Sequence, residues 1–397
     1  MEAVYIGSGA VGHLLEVGKR FSKILLVGDE NTVSAFYNGG GDLSGLNYDS
    51  AVFPGSPLLI PDENAIARIE SLCDDGVDCI IGIGGGTVND LCKYVAHKHS
   101  LYYIYVATAP SMDGYASDGA ALILEGMKVT LKAKPPHIII CETEILKNAP
   151  MELIRAGIGD ILGKYSCLND WLLAKHIKGE FFCKEIYDRV YACTKTVSDN
   201  IEAILKRDGN AITLLTDALV QVGIEMSYAG SSRPASGSEH HMAHFFEIYA
   251  IEHGQKHRPH GVDVGQASYY TALLRDKLLE SDLSFDFRFD PKSHFEKVQS
   301  LLPRAAGGIL ELQTKTALHG NSHGNYDDKG IKAVLATAPR AESVKELLSL
   351  SGLYPRELTE FYGEETVHNA LKYGKELKDR FSVLWLYEYL GWENIEI

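Results

Sequence analysis

Five runs in the first 150 residues constrain the fold most: KILLVGD (Lys23–Asp29), SAVFPG (Ser50–Gly55), VDCIIGIGGG (Val77–Gly86), LYYIYVATAP (Leu101–Pro110) and PHIIICET (Pro136–Thr143). In each, apolar residues follow one another instead of alternating with polar ones. That pattern belongs to strands covered on both faces, and so to a parallel sheet. Helical stretches separate the runs, which predicts a doubly wound, Rossmann-like α/β domain over residues 1–150. After Pro150 strand candidates stop. Segments such as MELIRAGIGDILGKYSCLNDWLLAKHI and NAITLLTDALVQVGIEMSYAG carry helical spacing, so residues 151–397 are expected to form an all-α domain. A length of 397 residues suits two domains, because single cores stop growing at about 250–300 residues. Loops are expected near Arg207–Gly209 and Gly320–Gly330. The aromatic C-terminus, RFSVLWLYEYLGWENIEI, reads as a docked terminal helix or a subunit contact.

Charge and composition exclude several function classes. The net charge of −15 argues against broad contact with nucleic acid or an anionic membrane, both of which need a basic face. A phosphorylated small molecule would have to be met locally, by a helix N-terminus or a few cationic groups. No apolar stretch reaches the roughly 18–20 residues that span a bilayer, and the N-terminus lacks the pattern of a signal peptide. The seven cysteines form no CxxC pair, and several lie in apolar strand-like runs. They read as reduced core thiols of a cytoplasmic protein.

GIGGGTVNDLCKYVAHK leaves a strand and opens a helix. Glycines let backbone amides approach a ligand, and the helix N-terminus adds partial positive charge, which together make a phosphate cradle. The pattern is neither GxGxxG nor a P-loop, and a merely tight strand–helix turn is the other reading. Asp29 ends the first run, where an acid can accept hydrogen bonds from a ribose and repel the 2′-phosphate of NADP. A solvated turn aspartate is the alternative. VATAPSMDGYASDGAA (Val106–Ala121) also leaves a strand, so Thr108, Ser111 and Ser117 are placed to hydrogen-bond a cofactor. Asp113 stands at the loop tip, where it is also a natural turn former.

Six of the 15 histidines fall between Ser236 and Gly261. His240 and His244 are four residues apart on an expected helix and share a face. His260 opens HGVDVG. Asp160 lies in the apolar, small-residue run AGIGDILG, where an acid is costly to bury unless paired or bound to metal. Two histidines, one carboxylate and an open position make a catalytic metal set. By spacing alone, a packed and satisfied histidine pair is the competing reading.

GIGGGTVND, TAPSMDG, AGIGDILGKY, SSRPASGSEH and HGVDVG occur in the order found in glycerol-1-phosphate dehydrogenases, within the dehydroquinate synthase-like, iron-containing alcohol dehydrogenase superfamily. The chain resembles that family over about residues 24–265, and its wording is most similar to the bacterial branch. The resemblance implies NAD rather than NADP, one divalent ion (zinc or nickel), a homodimer, and a phosphorylated polyol or ketose as substrate. It implies that Gly86, Thr87, Val88, Asn89 and Asp90 hold the pyrophosphate and that Thr108, Ser111 and Ser117 line the nicotinamide side. It assigns Asp160, His240 and His260 to the metal, and Asp113 and His244 to the substrate. His241, His253 and His257 are left without a role. Dehydroquinate synthases would have Glu at position 160, which disfavours a lyase. Lys164, one turn on, reads either as a phosphate or proton handler or as a helix-surface lysine.

Overall fold

The computed structural model describes residues 1–73, 76–124, 127–316 and 318–391. The chain divides into two compact units, Met1–Gly157 with Asn200–Ser227, and Ile158–Asp199 with Tyr228–Ile397. This differs from a single boundary at residue 150. The first division falls inside the helix Met151–Leu162, and the helix Gly209–Ala229 belongs almost entirely with the N-terminal residues. Composition could not signal this, because that helix has the same texture as those around it.

Among the described residues the first unit holds eight strands: β1 (Ala3–Gly7), β2 (Ile24–Asp29), β3 (Tyr48–Phe53), β4 (Cys79–Gly84), β5 (Tyr102–Ala107), β6 (Gly119–Leu124), β7 (Met127–Lys132) and β8 (Ile138–Glu142). Six form one parallel sheet in the order β1-β8-β5-β4-β2-β3. Four of the expected runs supply β2, β4, β5 and β8, and SAVFPG supplies most of β3. β4 and β8 are buried along their whole length, as continuous apolar runs require. The edge strand β1 is only half-buried, and its weaker apolar signal hid it. β6 and β7 pair antiparallel as a separate hairpin that the apolar-run criterion also missed.

The chain leaves β2 on one side for β3 and returns on its other side for β4. Strand order therefore reverses between β2 and β4, and in open α/β sheets ligands bind beyond the carboxyl ends at such a point. Asp29 ends β2, and the glycine-rich turn follows β4. Burial pushes the thiols of Cys79, Cys92 and Cys141 up, so they act as protonated core groups.

The second unit is helical; among its described residues there is no strand. Its core gathers Leu173, Phe245, Phe246, Leu274, Leu371 and Trp385. The helix Val383–Tyr389 buries Trp385, Leu386 and Tyr387, so the described part of the aromatic C-terminus is a docked helix. The remaining part, from Trp392, lies outside the described residues. No helix among the described residues is long and apolar enough to cross a membrane.

Two helices of this unit meet backbone to backbone. A Cβ on Gly265 would stand 2.8 Å from the Cα of Gly159, and one on Gly163 would stand 2.6 Å from Val264 Cγ1. Glycine in a helix ordinarily costs up to about 1 kcal/mol relative to alanine; here it permits the crossing. Gly265→Ala should therefore destabilise the protein by about 1–3 kcal/mol through overpacking. Gly307→Ala, in a helix where an added Cβ meets nothing within 4 Å, should stabilise it by about 0.5–1 kcal/mol. Urea unfolding of the two variants checks the opposite signs.

Candidate active site

In the first unit the helix Gly86–His99 begins directly after β4, with Gly85 as its N-cap and no side chain capping it. The amides of Gly86, Thr87 and Val88 thus have no intrahelical acceptor, while the amide of Asn89 already donates to Gly85 O at 3.1 Å. A Cβ on Gly84 would stand 2.5 Å from Val88 Cγ2, whereas one on Gly85 would meet nothing within 4 Å. The turn is tight inside and open at its tip, which suits a phosphate.

The side chains of Asn89 and Asp90 face inward. Asn89 Oδ1 accepts from the Tyr103 hydroxyl at 3.0 Å. Asp90 pairs with the buried Lys93 ammonium at 3.0 Å, which also donates to Gly114 O at 2.9 Å and Ser117 Oγ at 3.4 Å. These groups hold the Gly114–Gly119 loop against the helix. The Thr108 amide donates to Gly84 O at 3.1 Å, and the Ser111 amide to the Tyr115 hydroxyl at 2.9 Å. Asp113 is buried and precedes the 3-10 turn Gly114–Ala116. Asp29 caps the helix Glu30–Asn38: its Oδ1 accepts from the amides of Asn31 at 2.9 Å and Thr32 at 3.0 Å. The Thr32 hydroxyl in turn reaches Ile83 O, at the end of β4, at 2.8 Å.

In the second unit Asp160 is completely buried, as is Lys164 one turn further. Lys164 is therefore not a helix-surface lysine: its ammonium donates to Asp160 Oδ1 at 2.7 Å and to Ala235 O at 2.9 Å. His240 Nε2 lies 3.4 Å from the same Asp160 oxygen. The rings of His240 and His260 have centroids 5.2 Å apart, those of His244 and His260 5.2 Å, and those of His240 and His244 6.1 Å. The glycine crossing is what brings the start of the helix His260–Glu280 beside Asp160. Burial alone would raise the Asp160 pKa, but the Lys164 ammonium, with His240 and His260, outweighs it and holds the carboxyl ionised, well below the usual range.

Sequence reasoning missed Glu239 and Asp170. Glu239, fully buried, accepts from His240 Nδ1 at 2.7 Å and from the Gly237 amide at 2.9 Å. That bond sets the ring's tautomer and turns Nε2 toward Asp160, the arrangement of a carboxylate behind a metal-bound histidine. Asp170 accepts from the Ser238 amide at 2.7 Å and fastens the start of the helix Ser238–Glu252. A Cβ on Gly237 would stand 2.6 Å from Asp170 Oδ2. Much of SSRPASGSEH thus shapes a tight helix entry. The carboxylate directly preceding His240 was the available signal for Glu239; Asp170 had none. His241 is buried away from the cluster, and burial holds its pKa well below normal. His253 and His257 are exposed.

The iron-containing alcohol dehydrogenase family matches residues 5–150. A glycerol-1-phosphate dehydrogenase (NAD(P)+) from Geobacillus thermodenitrificans is 34% identical over 301 residues, 74% of each chain. One from Bacillus velezensis is 30% identical over 400 residues, covering 97% of this chain and 90% of its own. The chain belongs to the glycerol-1-phosphate dehydrogenase family. Among solved structures, the iron-containing alcohol dehydrogenase of Thermococcus thioreducens matches with a TM-score of 0.63 at 14% identity over 99% of both chains. A sulfoacetaldehyde reductase from Bifidobacterium kashiwanohense, solved in complex with NAD+, matches with a TM-score of 0.59 at 16% identity over 99% of this chain and 98% of its own. This chain thus shares its fold with proteins that differ widely from it in sequence.

Asp29 joins a cap to a position at the strand-order reversal, and the two roles are separable. Asp29→Ala should cost about 1 kcal/mol in thermal unfolding, whereas Asp29→Asn keeps an oxygen for the cap and should cost little. Both variants should use NADP better relative to NAD, because both remove the charge. A stability loss in Asp29→Ala with an unchanged NADP/NAD ratio of kcat/KM in both would leave the cap as the sole role.

Proposed function

We propose that this chain catalyses reversible hydride transfer between NAD(H) and a phosphorylated polyol, with dihydroxyacetone phosphate and sn-glycerol 1-phosphate as the substrate pair. The observation that carries the reading is the convergence of Asp160, His240 and His260, with Glu239 behind His240. One carboxylate and two imidazoles suit a zinc or nickel ion. The 3.4 Å between Asp160 Oδ1 and His240 Nε2 agrees with the roughly 3.3 Å expected of two ligands about 2.0–2.1 Å from one tetrahedral ion. Such an ion supplies Lewis acidity at the C2 oxygen of the substrate, and NAD supplies the hydride acceptor.

The remaining roles fall to the chain itself. The amides of Gly86, Thr87 and Val88 bind the pyrophosphate, and Asn89 and Asp90 serve through their inward-facing side chains by holding that turn. Thr108, Ser111 and Ser117 line the nicotinamide side, and Asp29 selects NAD. Lys164 keeps Asp160 ionised so that it is ready as a ligand. His244 holds or moves the proton at the C2 oxygen, and Asp113 orients the substrate. We further propose a homodimer, acting in the cytoplasm in line with seven cysteines that form no CxxC pair.

Three histidine variants test the roles. His240→Ala should lose the ion and nearly all turnover. His244→Ala should keep the ion and NAD binding while losing about 10²–10⁴-fold in rate, the usual worth of general acid–base help. His257→Ala should change neither. Metal analysis paired with the rate of NADH-dependent dihydroxyacetone phosphate reduction reads all three. Loss of the ion in His244→Ala equal to that in His240→Ala would make His244 a ligand and overturn the assignment.

A further inference from the structure

A second cluster of metal-type donors lies in the helical unit, built from residues that the proposed reaction does not use. His294 stands on the helix Pro291–Leu301, His319 in the loop after Thr316, Glu376 in the 3-10 turn Gly374–Leu377, and Glu388 on the helix Val383–Tyr389. One ligand atom from each lies within 4.8 Å of the others. His294 Nε2 is 2.9 Å from Glu376 Oε1, and His319 Nε2 is 2.8 Å from Glu376 Oε2. Phe289 stacks on the His319 ring at 3.9 Å, Trp385 meets it at 4.8 Å, and Tyr373 lies 5.2 Å from His294. These rings make the surroundings poor in water.

One pair of atoms in this cluster stands at an unusual distance. His319 Nδ1 lies 3.4 Å from Glu388 Oε1, well beyond the 2.8–2.9 Å of the other histidine–glutamate contacts in this cluster. A neutral imidazole that donates from Nε2 carries a lone pair on Nδ1. Two buried lone pairs facing each other repel unless a cation lies between them. A proton would draw the atoms to about 2.7–2.9 Å as a charge-assisted hydrogen bond. A tetrahedral ion with ligands at about 2.0–2.1 Å would hold them about 3.3 Å apart, close to what is found. Lys375 is the other cation present. Its ammonium lies 2.7 Å from Glu388 Oε2 and 3.2 Å from Glu376 Oε1, on oxygens other than Glu388 Oε1. With both imidazoles neutral, as metal ligands must be, two carboxylates and one ammonium leave a net negative charge for a divalent ion to offset.

We propose that His294, His319, Glu376 and Glu388 bind a second divalent ion of the zinc type. Four protein ligands close the coordination sphere, which marks a structural site. The ion staples four segments spread over 95 positions of sequence, from His294 to Glu388.

The test is Co²⁺ binding by the full chain after chelator treatment, read as ions per chain by elemental analysis and as visible d–d absorption. Wild type should bind two ions, and His319→Gln and His294→Gln one each. His240→Ala should also retain one. Added Zn²⁺ should raise the Tm of His240→Ala but not that of His240→Ala combined with His319→Gln. A wild type with one ion, lost in His240→Ala and kept in both glutamine variants, overturns the proposal. So does a His240→Ala protein with no ion, which decides the matter even where the glutamine variants fail to fold. If His240→Ala binds as many ions as wild type while His319→Gln loses one, the second site stands and the metal reading of the Asp160 cluster falls.

Discussion

A carboxylate buried without water must find cations, and in this protein the Asp160 carboxylate sets the terms for much of the helical unit. Isolated in an apolar helix it would be strongly unfavourable. It is held by the Lys164 ammonium at 2.7 Å and faced by His240. Lys164 in turn needs Ala235 O, which fixes the segment leading into the His240 helix. That helix is seated by the bond from the Ser238 amide to Asp170, and its first histidine is aimed by Glu239. Each bond leaves the next group with one satisfactory position. The glycines at 159 and 265 are the steric counterpart: without them the second helix could not come close enough to bring His260 beside the carboxylate.

The two compact units solve different electrostatic problems. The first offers backbone amides at the turn after β4, which suit an anionic group in a chain with a large negative net charge. Its charged side chains near the turn are used up internally, Asp90 on Lys93 and Asp29 on the next helix. The second concentrates imidazoles and carboxylates, which suit a cation. Both clusters of that kind use one arrangement, with a histidine nitrogen bonded to a carboxylate and another nitrogen facing a second carboxylate oxygen across 3.4 Å.

The residues of the Asp160 cluster were largely legible in the primary structure, and their supports were not. His240, His244, His260 and Asp160 stand out because a crowd of histidines and an acid in an apolar run are compositionally odd. Glu239 could be suspected only from its place next to His240. Asp170 and the His319 cluster escaped notice because their partners lie far away in sequence, and an isolated Asp or Glu on a helix looks like a solvated surface residue. Lys164 was open to two readings until its complete burial excluded the surface one.

What the sequence by itself determined was the parallel sheet, the helical second half, the glycine-rich turn after β4 and the shared helix face of His240 and His244. These depend on local pattern: unbroken apolar runs, helical periodicity, glycines between strand and helix, four-residue spacing. Tertiary structure alone decided that Gly209–Ala229 joins the first unit, that strand order reverses between β2 and β4, and that His240 comes to face Asp160. Those outcomes depend on contacts between residues tens to hundreds of positions apart. Burial there makes one pairing of a charge or hydrogen-bonding group much more favourable than the rest, and no window along the chain contains both partners.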